Sequence, residues 1–275
     1  MRVLVTGAAG RIGRAVMTAM TDDPGIRVTG SSRHATPPAI PLDITRPSDV
    51  NSTIAEVRPD TIVHLAGLVG ASCETDRERA EAVNVDAVRT LAASATRAGV
   101  RRIVFASTAA IYGDRSALPI AESAPLDPRS AYARTKAAAE DVLCRVASTD
   151  DGPEVVILRI FNLWGDEFPE SLATRALSSG TAEPIVFWGR QAFIRDYVHL
   201  DDVVAGVLLS VTAPLEDACT ILNIGSGVAT DNDRLIAEAQ RRGHPFSVVE
   251  GTPSVSVADI SRARRLIGYA PKRLL

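Results

Sequence analysis

A tyrosine and a lysine four residues apart, Tyr132 and Lys136, sit in the Ala-rich stretch Ser130–Glu140, SAYARTKAAAE. Such composition favours helix, and on a helix positions i and i+4 share a face one turn apart. A phenol ordinarily titrates near pH ~10, too high for easy proton exchange at neutral pH. An ammonium fixed one turn away stabilises the phenolate and lowers that value. The pair is therefore a candidate acid–base device that gives or takes a hydroxyl proton. The same spacing also occurs on surface helices with no chemistry attached, so the elements around it decide.

Those elements alternate. Arg2–Thr6 is a short β-branched run of the kind a buried parallel strand uses, and Arg11–Met20 then shows helical periodicity. Further strands are expected at Ile26–Gly30, Ile40–Ile44, Thr61–Leu65, Arg102–Ser107 and Val155–Ile160, with helices over Ser48–Val57, Arg77–Ala98 and the Tyr132 stretch. Strand and helix in this alternation predict a doubly wound parallel sheet of the α/β class over residues 1–160. Past Phe161 the alternation degrades into helices at Pro169–Ser178, Leu200–Thr212, Asp231–Arg242 and Ala258–Leu266, with short strands at Pro184–Trp188 and Ile221–Ile224. Residues 161–275 read as a smaller α/β lobe, intertwined with the sheet. Ligands bind beyond the carboxyl ends of parallel strands, so the site is expected where the lobe meets those ends.

Between the first strand and helix stands Gly7-Ala8-Ala9-Gly10-Arg11-Ile12-Gly13, a G-x-x-G-x-x-G turn. Missing side chains there let backbone N–H groups and a helix N-terminus approach a pyrophosphate, which points to a dinucleotide. An acidic residue after the second strand would bond a ribose 2′-hydroxyl. The chain instead has Gly30-Ser31-Ser32-Arg33-His34. Arg33, with Ser31 and Ser32, could hold a 2′-phosphate, assisted by Arg11 or Arg14. The cofactor expected from this loop is NADP, ahead of NAD.

Bulk properties exclude several classes. With 275 residues, 46% hydrophobic and 23% charged, the composition is that of a globular chain with a sizeable core. A net charge of −3 with scattered arginines offers no general attraction to nucleic acid or anionic membrane. No apolar run approaches the ~20 residues of a membrane span, and the N-terminus lacks a signal-peptide pattern. A cytoplasmic location is expected. Cys73, Cys144 and Cys219 lie far apart in sequence, suiting neither a disulfide framework nor a metal site, and are expected as reduced thiols.

With Tyr132 and Lys136 downstream of such a turn, the chain resembles the extended short-chain dehydrogenase/reductases, which include nucleotide-sugar epimerases, 4,6-dehydratases and ketosugar reductases. The resemblance covers nearly the whole sequence. It rests on Asp43-Ile44, His64-Leu65-Ala66-Gly67, Asn84, Ser107–Gly113, Leu158–Asn162, Arg195–His199 and Asn223–Gly227, in family order. It implies a Rossmann-type fold and hydride transfer between a nicotinamide and a carbinol carbon. Tyr132 would pass the proton, Lys136 would lower its pKa and hold the nicotinamide ribose, and Thr108 would bond the reacting oxygen. Asp43 and Ile44 would contact adenine. Leu65, Ala66, Gly67, Asn84 and Phe161 would line or brace the cofactor. Asn162 and Arg195 would reach substrate. His64 and His199 belong to structural motifs, and a homodimer is expected by analogy.

Departures from the family pattern narrow the reading. A 4,6-dehydratase carries an Asp-Glu pair directly after the Thr, where this chain has Ala109 and Ala110. The 4-epimerases carry a second phosphate-gripping Arg before the C-terminal helix, where Glu250–Val257 has none. A sugar or nucleotide-sugar reductase acting on a 4-keto-6-deoxyhexose is the leading expectation. A nucleotide-sugar 4-epimerase is the alternative, a dehydrogenase of a free sugar or sugar acid the third. A non-catalytic dinucleotide sensor is disfavoured by the presence of Tyr132 and Lys136.

Overall fold

The computed structural model describes residues 1–114, 119–179, 183–215 and 217–275. In chain order the first half runs β1 (Arg2–Thr6), α1 (Arg11–Thr21), β2 (Arg27–Ser32), β3 (Ile40–Pro41), α2 (Pro47–Val57) and β4 (Thr61–His64). It continues through α3 (Ala71–Thr75), α4 (Arg77–Glu81), α5 (Ala87–Arg97), β5 (Arg102–Thr108), α6 (Ala131–Ala147) and β6 (Glu154–Ile160). The second half contains β7 (Asn162–Trp164), α7 (Leu172–Leu177), β8 (Ile185–Trp188), β9 (Phe193–Arg195), β10 (Tyr197–His199), α8 (Leu200–Thr212) and β11 (Cys219–Ile224). It ends with β12 (Thr230–Asp231), α9 (Asn232–Arg241), β13 (Phe246–Val249), β14 (Ser254–Ser256) and α10 (Ser261–Ile267).

Seven strands form the main sheet in the order β11-β6-β5-β4-β1-β2-β3, and every pairing in it is parallel. Alternate residues of a strand point to opposite faces, and both faces are apolar. Val3 and Val5 of β1 join a core with Val16, Met20, Val203 and Val207 from α1 and α8. Leu4 joins the opposite core with Ile54, Leu91 and Leu143 from α2, α5 and α6. A parallel sheet buried on both faces accounts for the near-continuous apolar runs in the sequence. The order reverses at β1/β4, which opens a crevice at the carboxyl ends of the strands.

Four local features differ from the sequence reading. The strand assigned to the lobe at 221–224 is β11, which runs from Cys219 and pairs with β6 as an edge of the main sheet. Small strands β7, β9, β10, β12, β13 and β14 build the lobe, where short half-buried segments give little periodic signal. The helix expected over Arg77–Ala98 is interrupted by one π-turn at Ala82–Asp86. That turn carries Asn84, whose buried amide accepts from Leu68 N at 2.8 Å and donates to Leu68 O and Thr135 Oγ1 at 3.0 Å each. Finally, Cys144 and Cys219 are joined by a disulfide and only Cys73 is free. Their 75-residue separation hides the fact that α6 packs across β11, which brings the two Cα atoms to 5.4 Å. Among the described residues no helix is long and apolar enough to cross a membrane, and no cluster of potential metal ligands occurs.

Candidate active site

The glycine turn is shaped by close approach. Gly7 has φ +72°, and a Cβ there would stand 2.6 Å from Ala66 N. A Cβ at Gly13 would stand 2.2 Å from Gly7 O. The turn therefore nests against the end of β4 and against its own helix, and no larger residue fits either contact. Gly10 is the N-cap of α1, with no side chain capping the free N–H groups. Those donors face the crevice, as an anion-binding helix start requires.

Two connected chambers follow the crevice. One of about 240 Å³ is lined by Ser32, Arg33, Asp43, Ile44, Ala66 and Arg79, among others. The second, about 530 Å³, is lined by Arg11, Ile12, Gly13, Thr108, Tyr132, Lys136 and Phe161. Gly7, Gly10, Leu65 and Gly67 belong to both. Past Phe161 lie two further recesses. Asn162 and Arg195 line both, one together with Thr108, Ala109 and Ala110. Asn84 stands behind the wall and braces the Gly67–Leu68 backbone. The residues singled out from sequence thus surround one continuous cleft.

Helix α6 starts at Ser130, whose hydroxyl accepts from Ala133 N at 3.0 Å and satisfies one free donor of the first turn. The helix presents Tyr132 and Lys136 to the cleft on one face. Lys136 is 5% exposed. Its Nζ donates to Ala106 O at 2.7 Å and lies 4.5 Å from the centre of the Phe105 ring. Burial pulls the lysine down to about 8, opposed by the negative charge of Glu140. Tyr132 hydrogen-bonds with Thr108, the last residue of β5. The expected lowering of the Tyr132 phenol by Lys136 is not the outcome: burial pushes it up to about 12, with the Thr108 hydrogen bond acting the other way. Lys136 is not among the groups acting on the phenol; its ammonium is directed to the Ala106 carbonyl.

Neither histidine is poised for proton transfer. His64 bonds Thr6 Oγ1 at 2.7 Å and stacks on Phe105, and burial, then Lys136, holds it down at about 3, so the ring stays neutral. His199 caps α8 by accepting from Asp201 N at 3.1 Å. The two lobe motifs prove to be one unit. Asp196, fully buried, accepts from Ser226 N and Oγ at 2.6 Å each, Gly227 N at 2.9 Å and Ala258 N at 3.2 Å. It fastens the β9–β10 junction to the turn after β11. Arg195 beside it donates to Ser254 O at 2.8 Å and Ser254 Oγ at 2.6 Å and stacks on Phe193. Asn162 Nδ2 donates to Asp196 O at 3.0 Å.

Phe168 and Glu170 were invisible to sequence reasoning. Glu170 forms an ion pair with Arg11, whose guanidinium lies 5.2 Å from the Phe168 ring centre. The contact joins the helix start to a lobe loop 159 residues away, and no local pattern announces it. Glu140 was also overlooked, although its signal was present: a carboxylate four residues beyond Lys136.

Residues 3–225 match the model of the NAD dependent epimerase/dehydratase family. A UDP-glucose 4-epimerase of Azospirillum brasilense is 30% identical over 308 residues, covering 98% of this chain and 87% of its own length. The fold matches that of MoeE5 in complex with UDP-glucuronic acid and NAD, at 27% identity and a TM-score of 0.87, over 100% of this chain and 95% of that one. It also matches Thermus thermophilus UDP-glucose 4-epimerase in complex with NAD, at 28% identity and a TM-score of 0.85, with the same coverage. Both solved relatives hold NAD, which overturns the NADP expectation. The cleft offers a physical reason. Arg33 shares its chamber with Asp43, whose carboxyl is held below its usual range by the Thr45 hydrogen bond, with Arg46 and Arg33 adding to it. That anion opposes a 2′-phosphate. Of the helper arginines, Arg14 is committed to Ala9 O at 2.6 Å and Arg11 to Glu170.

Proposed function

Because the chain belongs to the NAD-dependent epimerase/dehydratase family, we propose that it is a nucleotide-sugar 4-epimerase working with NAD, on UDP-glucose, UDP-glucuronic acid or a near analogue. The observation that carries this reading is the pairing of the Thr108 and Tyr132 side chains in a cleft whose next two residues, Ala109 and Ala110, cannot titrate. Such a site moves a hydride and a hydroxyl proton and has no acid–base pair there for eliminating water. The two-chamber cleft, the tight glycine turn and the ionised Asp43 fit an adenine dinucleotide, held by Gly7, Gly10, Arg11, Ile12, Gly13, Ser32, Asp43, Ile44, Leu65, Ala66 and Gly67. When bound, NAD supplies hydride acceptance and return.

The chain's own residues do the rest. Tyr132 receives the proton of the sugar hydroxyl as the carbon is oxidised and returns it on reduction. Thr108 donates a hydrogen bond to the oxygen as it alternates between alcohol and ketone. Lys136, one turn away on the same helix face, supplies positive charge to the cleft, its ammonium held on the Ala106 carbonyl. Arg195 lines both substrate recesses, where it would meet a diphosphate from the lobe side. Epimerisation demands that the ketone present its other face before reduction. The recess beyond Thr108, about 300 Å³ and bordered by Ala109, Ala110 and Gly113, supplies room for that turn.

The reductase reading, placed first from sequence, rested on the absent second phosphate-gripping Arg at Glu250–Val257 together with the expected NADP, and with NAD in the solved relatives it yields to this one. Incubation with UDP-glucose and, separately, UDP-glucuronic acid, followed by anion-exchange separation of the products, tests it. The expected result is the 4-epimer with no net change in absorbance at 340 nm. Stoichiometric accumulation of NADH, or a product lacking water, would overturn it.

A further inference from the structure

Beneath the cleft lies a buried polar cluster that proton transfer by Tyr132 does not use. Glu140 is 3% exposed and Arg159 is 3% exposed. Arg159 Nη2 donates to Glu140 Oε2 at 2.7 Å, and its Nε reaches both carboxylate oxygens at 3.2–3.3 Å. Ser107 donates its hydroxyl to Glu140 Oε1. Arg159 Nη1 is taken up by Tyr112 Oη at 2.9 Å and Glu122 O at 3.0 Å.

The position of this carboxylate is informative. Ser107 immediately precedes Thr108, Arg159 precedes Ile160 and Phe161, and Glu140 is one helical turn beyond Lys136. One side chain therefore ties the ends of β5 and β6 to the face of α6 that carries the lysine. The Lys136 ammonium needs such a partner. Its hydrogen bond among the described residues goes to a neutral carbonyl, Ala106 O. Cys73 on α3, His64 on β4 and the Phe105 ring on β5 also face it, and Tyr132 lines the same chamber one turn away on α6. None of these is an anion at neutral pH: burial raises the Cys73 thiol and the Tyr132 phenol, and His64 is neutral. Arg159 faces Glu140 from the far side and is not among the charges acting on Lys136.

We propose that Glu140 is a positioning residue that acts through Lys136: held by Ser107 and Arg159, its carboxylate keeps the buried lysine protonated at neutral pH and so sets the alkaline limit of the site. This rests on the assignment of Lys136 as a working cation in the proposed epimerase. In an effective dielectric of ~20, a charge at the ~5–6 Å spacing of i,i+4 helix neighbours corresponds to about two pKa units. Removing it adds to the lowering that burial already imposes.

The chain has only two lysines, Lys136 and the exposed Lys272, so the test needs no substrate. Protein labelled with 13C at lysine Cε is titrated by NMR, with K272R identifying the resonances. Wild type is expected to show Lys136 titrating near 8. Glu140→Gln should lower the Lys136 midpoint by about one unit or more, and Glu140→Asp should restore most of it. Where Glu140→Gln leaves Arg159 unpaired and fails to fold, the double variant E140M/R159M replaces the ion pair by apolar side chains of similar length. It should fold and still show the lowered midpoint, which a merely structural role would not produce. The alkaline limb of kcat/KM should move down in parallel. An unchanged Lys136 titration in folded Glu140→Gln or E140M/R159M would overturn the proposal and leave the epimerase reading untouched. Absence of epimerase activity in wild type would do the reverse.

Discussion

Replacing Gly7 by alanine tests how the cofactor turn is built. Alanine at φ +72° sits in the left-handed region, at a cost of ~1–2 kcal/mol. Its Cβ would also stand 2.6 Å from Ala66 N, 2.8 Å from Ala66 Cα and 2.9 Å from Leu65 C. All three are backbone atoms at the end of β4, so no flexible side chain can give way. Overpacking of this kind costs ~1–3 kcal/mol. Gly99 is the internal control, with φ +69° and nothing within 4 Å of an added Cβ. Gly99→Ala shares the dihedral cost and the gain from a stiffer unfolded chain, so the difference between the variants isolates the clash. With ~2–4 °C lost per kcal/mol in a domain of this size, Gly7→Ala should melt roughly 2–12 °C below Gly99→Ala. The displaced segment, Leu65–Gly67, lines both cofactor chambers. NAD affinity, measured by quenching of protein fluorescence, should therefore fall at least ~10-fold, or ~1.4 kcal/mol, in Gly7→Ala and stay unchanged in Gly99→Ala. Equal melting of the two variants with equal NAD affinity would refute the steric account of the turn.

Tyr132→Phe should reduce epimerase turnover by ~10²–10⁴-fold, the range of a lost general acid–base group, while NAD binding persists; retention of turnover would remove Tyr132 from the chemistry. Lys136 gives two opposite pH dependences. Its value falls from the ordinary 10.5 to about 8 on burial, so between those limits the unfolded chain binds more protons and stability rises with pH through this group. Activity should instead fall above about 8 as the ammonium is lost. Parallel urea melts of wild type and Lys136→Met across pH 7.5–10.5 read the first, because only wild type should show that rise, and kcat/KM profiles the second. Asp196→Ala should cost ~3–5 kcal/mol in urea denaturation, because it strands the buried N–H groups of Ser226, Gly227 and Ala258. Asp196→Asn, still able to accept with one oxygen, should lose less.

Much of the site was legible because the signals are local. Gly7, Gly10 and Gly13 announce a turn pressed against a neighbouring strand, since only the absence of Cβ allows those contacts. The i,i+4 spacing of Tyr132 and Lys136 dictates a shared helix face once Ser130 caps the helix. Apolar runs such as Ile103–Phe105 and Val155–Leu158 carry the mark of strands buried on both faces. The cofactor was misread for an equally local reason. Arg33 looks like a phosphate ligand in sequence, whereas its chamber also holds Asp43, ten residues on, and that juxtaposition exists only in the fold.

By itself, then, the sequence determined the alternating parallel sheet, the dinucleotide turn and the shared helix face of Tyr132 and Lys136, because periodicity, glycine sterics and helical spacing act over a few residues; Thr108 entered only through the family resemblance. The tertiary structure alone decided the protonation balance of Tyr132 and Lys136, because desolvation depends on what surrounds a group from every side. It alone brought Glu140 to Ser107 and Arg159, Arg11 to Glu170, and Cys144 to Cys219. Those contacts join segments 19 to 159 residues apart, and only the crossing of α6 over the sheet and the folding-back of the lobe create them.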